Sequence, residues 1–122
     1  MNHKETTDKI LKGLYNVYNT LGYGYLEKVY ENALLLELRS IGLLVEKRVP
    51  IKVYFKEQQV GEYYADLIVE DNVIVELKAA EGLCEEHEFQ LINYLKGTDI
   101  EVGLLLSFGK KPQFKRRIFT NK

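Results

Sequence analysis

Apolar residues recur every three or four positions from about Glu5 to Leu21, placing Ile10, Leu14, Val17 and Leu21 on one stripe. This spacing predicts an amphipathic helix, with Thr6 or Thr7 as its cap. After Gly22 and Gly24 a second helix is predicted to begin near Leu26 and to end at Gly42, its stripe being Tyr30, Leu34, Leu38 and Ile41. The period then shortens to two. Val45 to Lys56 reads as a strand in which Pro50 marks a bulge or an edge position, and Val60 to Glu70 with Asn72 to Ala79 reads as a hairpin. A third helix is predicted from about Glu85 to Lys96, packed through Phe89, Leu91, Ile92 and Leu95. Val102 to Ser107 reads as a buried strand, and a last strand or helix is expected around Phe114 to Phe119. No linker, repeat or low-complexity segment divides the 122 residues, so residues 1–122 are expected to form one domain.

The hairpin carries charges that the pattern does not ask for. Side chains alternate between the two faces of a strand, so Val73, Val75, Leu77 and Ala79 share a face with Ala65, Leu67 and Val69. Asp66, Glu76 and Lys78 fall on the other face, beside Ile68 and Ile74. Two carboxylates and an ammonium on a half-covered face are the parts needed to bind a hard divalent cation and orient a water beside it. The other reading is an exposed charge pair with an unrelated aspartate, which would contribute little. Placing Asp66 and Glu76 on one face requires an even sum of residue numbers at paired positions. That points to a three-residue turn or a bulge near Asp71 and Asn72.

Two helices supply further candidates. Glu27 falls on the apolar stripe three residues before Tyr30 and is expected to point inward, although a glutamate at a helix start is also explained by the helix dipole. In the third helix Gln90 and Tyr94 lie one turn apart on one face, directly after the strand that carries Glu76 and Lys78.

Asp66, then Glu76-Leu77-Lys78, then Gln90-x-x-x-Tyr94, preceded by a helix with Glu27, resembles the PD-(D/E)XK nuclease superfamily. More narrowly, Gly24-Tyr25-Leu26-Glu27-Lys28-Val29-Tyr30 is similar to the signature of the small GxxExxY proteins, a branch of that superfamily; the resemblance runs from about Leu14 to Ile118. It implies an α/β, restriction-endonuclease-like core, in which helices flank a mixed central sheet built on an antiparallel three-stranded meander. It also implies Asp66, Glu76, the Leu77 carbonyl and Glu27 as ligands of Mg²⁺ or Mn²⁺, Lys78 as the catalytic lysine, and Gln90 and Tyr94 as groups positioning the nucleic-acid backbone. Ala65 stands where the superfamily motif has proline, and Ser107 stands where the family's strand ends in Asn-Phe-Gly.

Composition narrows the alternatives. With 46% hydrophobic and 29% charged residues the chain reads as a globular protein. No apolar run nears the roughly 20 residues of a membrane span and no signal-peptide core is present, so no membrane partner and a cytoplasmic location are expected. One cysteine, Cys84, and two histidines exclude an internal disulfide and a zinc constellation. The net charge of -1 hides an asymmetry: Lys110, Lys111, Lys115, Arg116, Arg117 and Lys122 cluster near the C-terminus, whereas Glu81, Glu85, Glu86 and Glu88 follow the lysine strand. The basic segment suits phosphate neutralisation through Lys115, Arg116 and Arg117, or a solvated surface. The expected activity is metal-dependent hydrolysis of phosphodiesters, with DNA the expected partner and a homo-oligomer or larger assembly open. The alternative is an inactive module on the same fold that binds nucleic acid or a protein.

Overall fold

A computed structural model describes residues 3–120; Lys122 lies outside the described residues. Its elements are α1 (Lys4–Leu21), α2 (Glu27–Ser40), β1 (Val45–Phe55), β2 (Gln58–Val69), β3 (Val73–Lys78), α3 (Glu85–Lys96), β4 (Val102–Phe108) and β5 (Pro112–Ile118). The strands form one sheet in the order β1-β2-β3-β4-β5. The first three make an antiparallel meander, β4 runs parallel to β3 across the α3 connection, and β5 returns antiparallel to β4. This is the α/β, restriction-endonuclease-like core expected above. β1 is an edge strand, which accommodates Pro50.

Helices cover both faces. Ile10, Leu14 and Val17 of α1 with Tyr30, Leu34 and Leu38 of α2 pack on Leu67, Val69, Val73, Val75, Leu77, Leu104 and Leu106. On the opposite face Leu91, Tyr94 and Leu95 of α3 pack on Ile68, Ile74 and Leu105. Gly103 seats α3, because a Cβ there would lie 2.7 Å from Leu91 Cδ1.

Several expectations are corrected. Neither Thr6 nor Thr7 caps α1: His3 occupies that position, and Thr7 Oγ1 donates to the Lys4 carbonyl from inside the helix. Ile41 lies past the end of α2 and is exposed, as is Ala79 just past β3. Phe89 is not a packing residue of α3, being 59% exposed. The expected apolar row Ala65, Leu67, Val69 is also broken. Leu67 and Val69 join the α1/α2 core, whereas Ala65 joins the α3 core, as does Ile51 of β1 while Val45 stays with α1 and α2. The β1-β2 ribbon thus exchanges faces about Arg48 and Asp66, where Arg48 has the left-handed φ of 51° and neither residue belongs to the continuous pairing. Strong twist of a two-stranded ribbon accounts for such a change.

Candidate active site

The site forms where β2 and β3 part. Their pairs are Val69 with Val73, Ile68 with Ile74 and Leu67 with Val75, an even-sum register closed by the three-residue turn 70–72. Glu70 and Asp71 make that turn with φ of 55° and 57°. The next pair would be Asp66 with Glu76, but there side chains replace the ladder: the Asp66 N–H donates to Glu76 Oε2 and the Leu77 N–H donates to Asp66 Oδ2, both at 2.8 Å. The two carboxylates are cross-braced on each other's strand. Leu77 buries its side chain among the α1 and α2 residues, so only its main chain is available to the site.

Glu76 is 3% exposed. Burial, then the neighbouring Asp66 carboxylate, pushes its pKa up to about 8, against the opposing pull of the Asp66 N–H and of Lys78. Burial also raises Asp66, to about 6, while the Leu77 N–H and Lys78 act the other way. Both shifts have one physical meaning. Two carboxylates packed together out of water favour protons, or any cation that replaces them.

Opening the ladder exposes the pair to acids from α2. Glu27 is exposed at the rim rather than buried inward as expected, yet its Oε2 accepts the Ala79 N–H at 3.3 Å and its charge bears on both Asp66 and Glu76. Glu31, one turn later, was not anticipated. It is 7% exposed, its Oε1 has no hydrogen-bond partner, and its charge raises Asp66 more than that of Glu27 does. The signal was present in the chain, since Glu31 precedes Leu34, Leu35 and Leu38 at the three-, four- and seven-residue spacing of a buried stripe. Tyr30 has a structural part: it stacks on Phe108 at 4.3 Å, and its hydroxyl donates to the Gly22 carbonyl and accepts the Tyr25 N–H. That holds the loop before α2 against the end of the sheet.

On the α3 side Gln90 Nε2 donates to Tyr94 Oη at 2.9 Å. Burial and then Glu76 push the Tyr94 pKa up to about 12, which keeps the hydroxyl protonated beside the acids. Lys78, half-buried at the end of β3, bears on both carboxylates but forms no ion pair among the described residues. Ser107, level with Lys78 on β4, is buried and donates to the Ala80 carbonyl at 2.6 Å. A Cβ on Gly109 would lie 2.4 Å from that same oxygen, so the chain after Lys78 is clamped by the Ser-Phe-Gly end of β4.

The basic segment is placed elsewhere. Lys115 and Arg117 on β5 both pair with Glu88, which α3 presents on the side away from Gln90 and Tyr94. Arg116 shares the row of Leu104 on the other sheet face. Among the described residues neither Lys115 nor Arg117 pairs with Asp66 or Glu76. Cys84 is exposed and forms the start of α3.

Among the described residues no three His, Cys, Asp or Glu side chains form a ready-made metal cage. The donor set present nevertheless suits Mg²⁺, which keeps several waters and is held by one or two carboxylates together with substrate phosphate. The half-buried Asp66, the buried Glu76 and the orphaned Glu31 Oε1 are an oxygen-rich, cation-deficient site.

No helix is long and apolar enough to cross a membrane among the described residues. No curated protein and no solved structure matches the chain. A model of the PD-(D/E)XK nuclease superfamily matches residues 4–118, from the first turn of α1 to the end of β5. With both sheet faces and the Asp66–Glu76–Lys78 constellation inside that match, the chain belongs to the PD-(D/E)XK nuclease superfamily, whose members generally use divalent metals.

Proposed function

We propose that this protein hydrolyses phosphodiester bonds of DNA with Mg²⁺ or Mn²⁺, and that it belongs to the GxxExxY branch of its superfamily. The observation that supports this best is the cross-braced pair of Asp66 and Glu76, held at the open end of β2 and β3 with Lys78 at the same strand end. Asp66, Glu76 and the Leu77 carbonyl would hold the cation, with Glu27 and Glu31 reaching it directly or through water. A bound divalent ion supplies a water of lowered pKa and neutralises charge on the phosphoryl oxygens. Lys78 orients the attacking water and stabilises the charge that develops as it adds. Gln90 and Tyr94, hydrogen-bonded to each other and with the Tyr94 hydroxyl under the influence of the Glu76 charge, position the backbone next to the cut without reading bases.

The test is cleavage of plasmid, linear duplex, single-stranded DNA and RNA with Mg²⁺ or Mn²⁺, set beside calorimetry of metal binding. Metal-dependent strand scission, lost in Asp66→Asn, is expected. Metal binding without scission of any substrate would favour the binding-module alternative.

A further inference from the structure

Beside the carboxylates, between β2 and α3, lies a cleft of about 420 Å³, within the range of small-ligand pockets, about 300–1,000 Å³. Its walls include three aromatic rings, Tyr63, Phe89 and Tyr94. Tyr63 and Tyr94 are in ring contact at 5.7 Å, and the charges of Glu76 and Asp66 both bear on the Tyr94 hydroxyl, so the cleft neighbours the site. Two of the rings are presented to solvent: Tyr63 is 52% and Phe89 59% exposed. Leaving large apolar rings in water costs free energy that a core position would recover, and Phe89 sits in a helix whose other apolar residues are packed.

The polar lining decides what the cleft would take. Gln90, Asn93 and His87 offer hydrogen-bonding groups, Glu86 adds a negative charge, and no lysine or arginine contributes. A phosphate would meet a carboxylate and no cation there. A flat, uncharged ring with donors and acceptors on its edge would meet aromatic faces to stack on and amides to bond. We propose that this cleft receives one unpaired nucleobase of the substrate strand, next to the phosphate at the carboxylates, so that the preferred substrate is single-stranded or locally unpaired nucleic acid. This rests on the hydrolase reading above and specifies its substrate class. Base–aromatic stacking tolerates any base, and unpaired bases present both faces, whereas duplex bases are already stacked on their neighbours.

The test is fluorescence anisotropy of a labelled single strand, with Ca²⁺ replacing Mg²⁺ to suppress turnover, in which an abasic nucleotide is scanned along the strand. Wild type should show one position where losing the base weakens binding by about five- to a hundredfold, the range for a stacked base. Tyr63→Ala and Phe89→Ala should bind the intact strand at that weakened level and be indifferent to the abasic nucleotide, while Tyr63→Phe and Phe89→Tyr should retain wild-type sensitivity. An abasic scan of the wild type without any sensitive position overturns the proposal, whether or not the variants fold. So does undiminished sensitivity in both alanine variants. If the wild type binds and cleaves but ignores base loss, only the nucleobase cleft fails; if it neither binds nor cleaves any nucleic acid with divalent metal, the hydrolase reading fails and the cleft with it.

Discussion

On the face covered by α1 and α2, the sheet's leucines and valines meet Ile10, Leu14, Leu34 and Leu38 in a continuous apolar layer. On the face covered by α3 the apolar cluster is smaller, and it gives way at one end to Glu76, the Tyr94 hydroxyl and a cleft with exposed Phe89 and Tyr63. The same five strands serve both. Burying polar groups costs free energy unless each is bonded, and on the α3 side the bonds are specific: Glu76 accepts the Asp66 N–H, and Tyr94 accepts from Gln90. One face therefore supplies stability, and the other gives some of it up to hold charge out of water.

The sharpest break between the faces is chemical. Glu76→Gln, nearly isosteric, should abolish metal-supported stabilisation and lower cleavage by at least about a thousandfold, within the range for a positioned catalytic group. Calorimetry and single-turnover cleavage would check both. Lys78→Ala should retain metal binding and folding yet lose at least about a hundredfold in turnover. Equal turnover in that variant would reduce Lys78 to a surface charge.

Truncation on the apolar face should act in the opposite way. Leu34→Ala should cost about 2–5 kcal/mol through lost burial and a residual cavity, whereas Phe89→Ala on the α3 side should stay within about 0.5 kcal/mol because its ring is already exposed. Denaturant melts of the two variants measure the contrast directly, and similar losses would dissolve the comparison.

A further test uses pH. Asp66 and Glu76 have folded-state pKa values raised to about 6 and about 8, above the unfolded range of about 4. Such groups contribute stability that is fully present below the unfolded value and lost as pH rises through the folded one. Without metal, the melting temperature should therefore fall between about pH 4 and pH 8, and millimolar Mg²⁺ should restore most at the upper end. Glu76→Gln should flatten the slope. A wild type equally stable at both ends, and indifferent to metal, would contradict the packed acidic pair.

A small effect is also expected at β5. Glu88→Gln removes the partner of Lys115 and Arg117, whose side chains are partly exposed, so stability should change by no more than about 1 kcal/mol. Freed of Glu88, the two cations should steepen the salt dependence of nucleic-acid binding if the strand passes along β5. An unchanged salt slope would show that it does not.

Much of this was written in local pattern. The stripes Ile10-Leu14-Val17 and Tyr30-Leu34-Leu38 define α1 and α2 because helical period and burial coincide there. The even-sum register of β2 and β3 follows from requiring Asp66 and Glu76 on one side, and the turn 70–72 meets it. Period alone failed where geometry departs from ideal. Ala65 packs against α3 because the β1-β2 ribbon changes faces at Arg48 and Asp66, and alternation carries no information about twist. Glu31 was overlooked because a glutamate beside a tyrosine at a helix start is ordinarily solvated, and only the parted ends of β2 and β3 bring Asp66 within reach of its charge.

The sequence by itself determined the order of the elements, the charged hairpin and the helix face shared by Gln90 and Tyr94, because each depends on residues within a few turns or one hairpin. Tertiary structure alone decided which charges meet. Lys115 and Arg117, whose clustering suited either phosphate neutralisation or a solvated surface, are drawn to Glu88 on α3, while Glu27 and Glu31 converge on a pair of carboxylates about 40 residues away. Coulomb energy depends on distance and on the exclusion of water, and both are set by packing between elements that are remote in the chain.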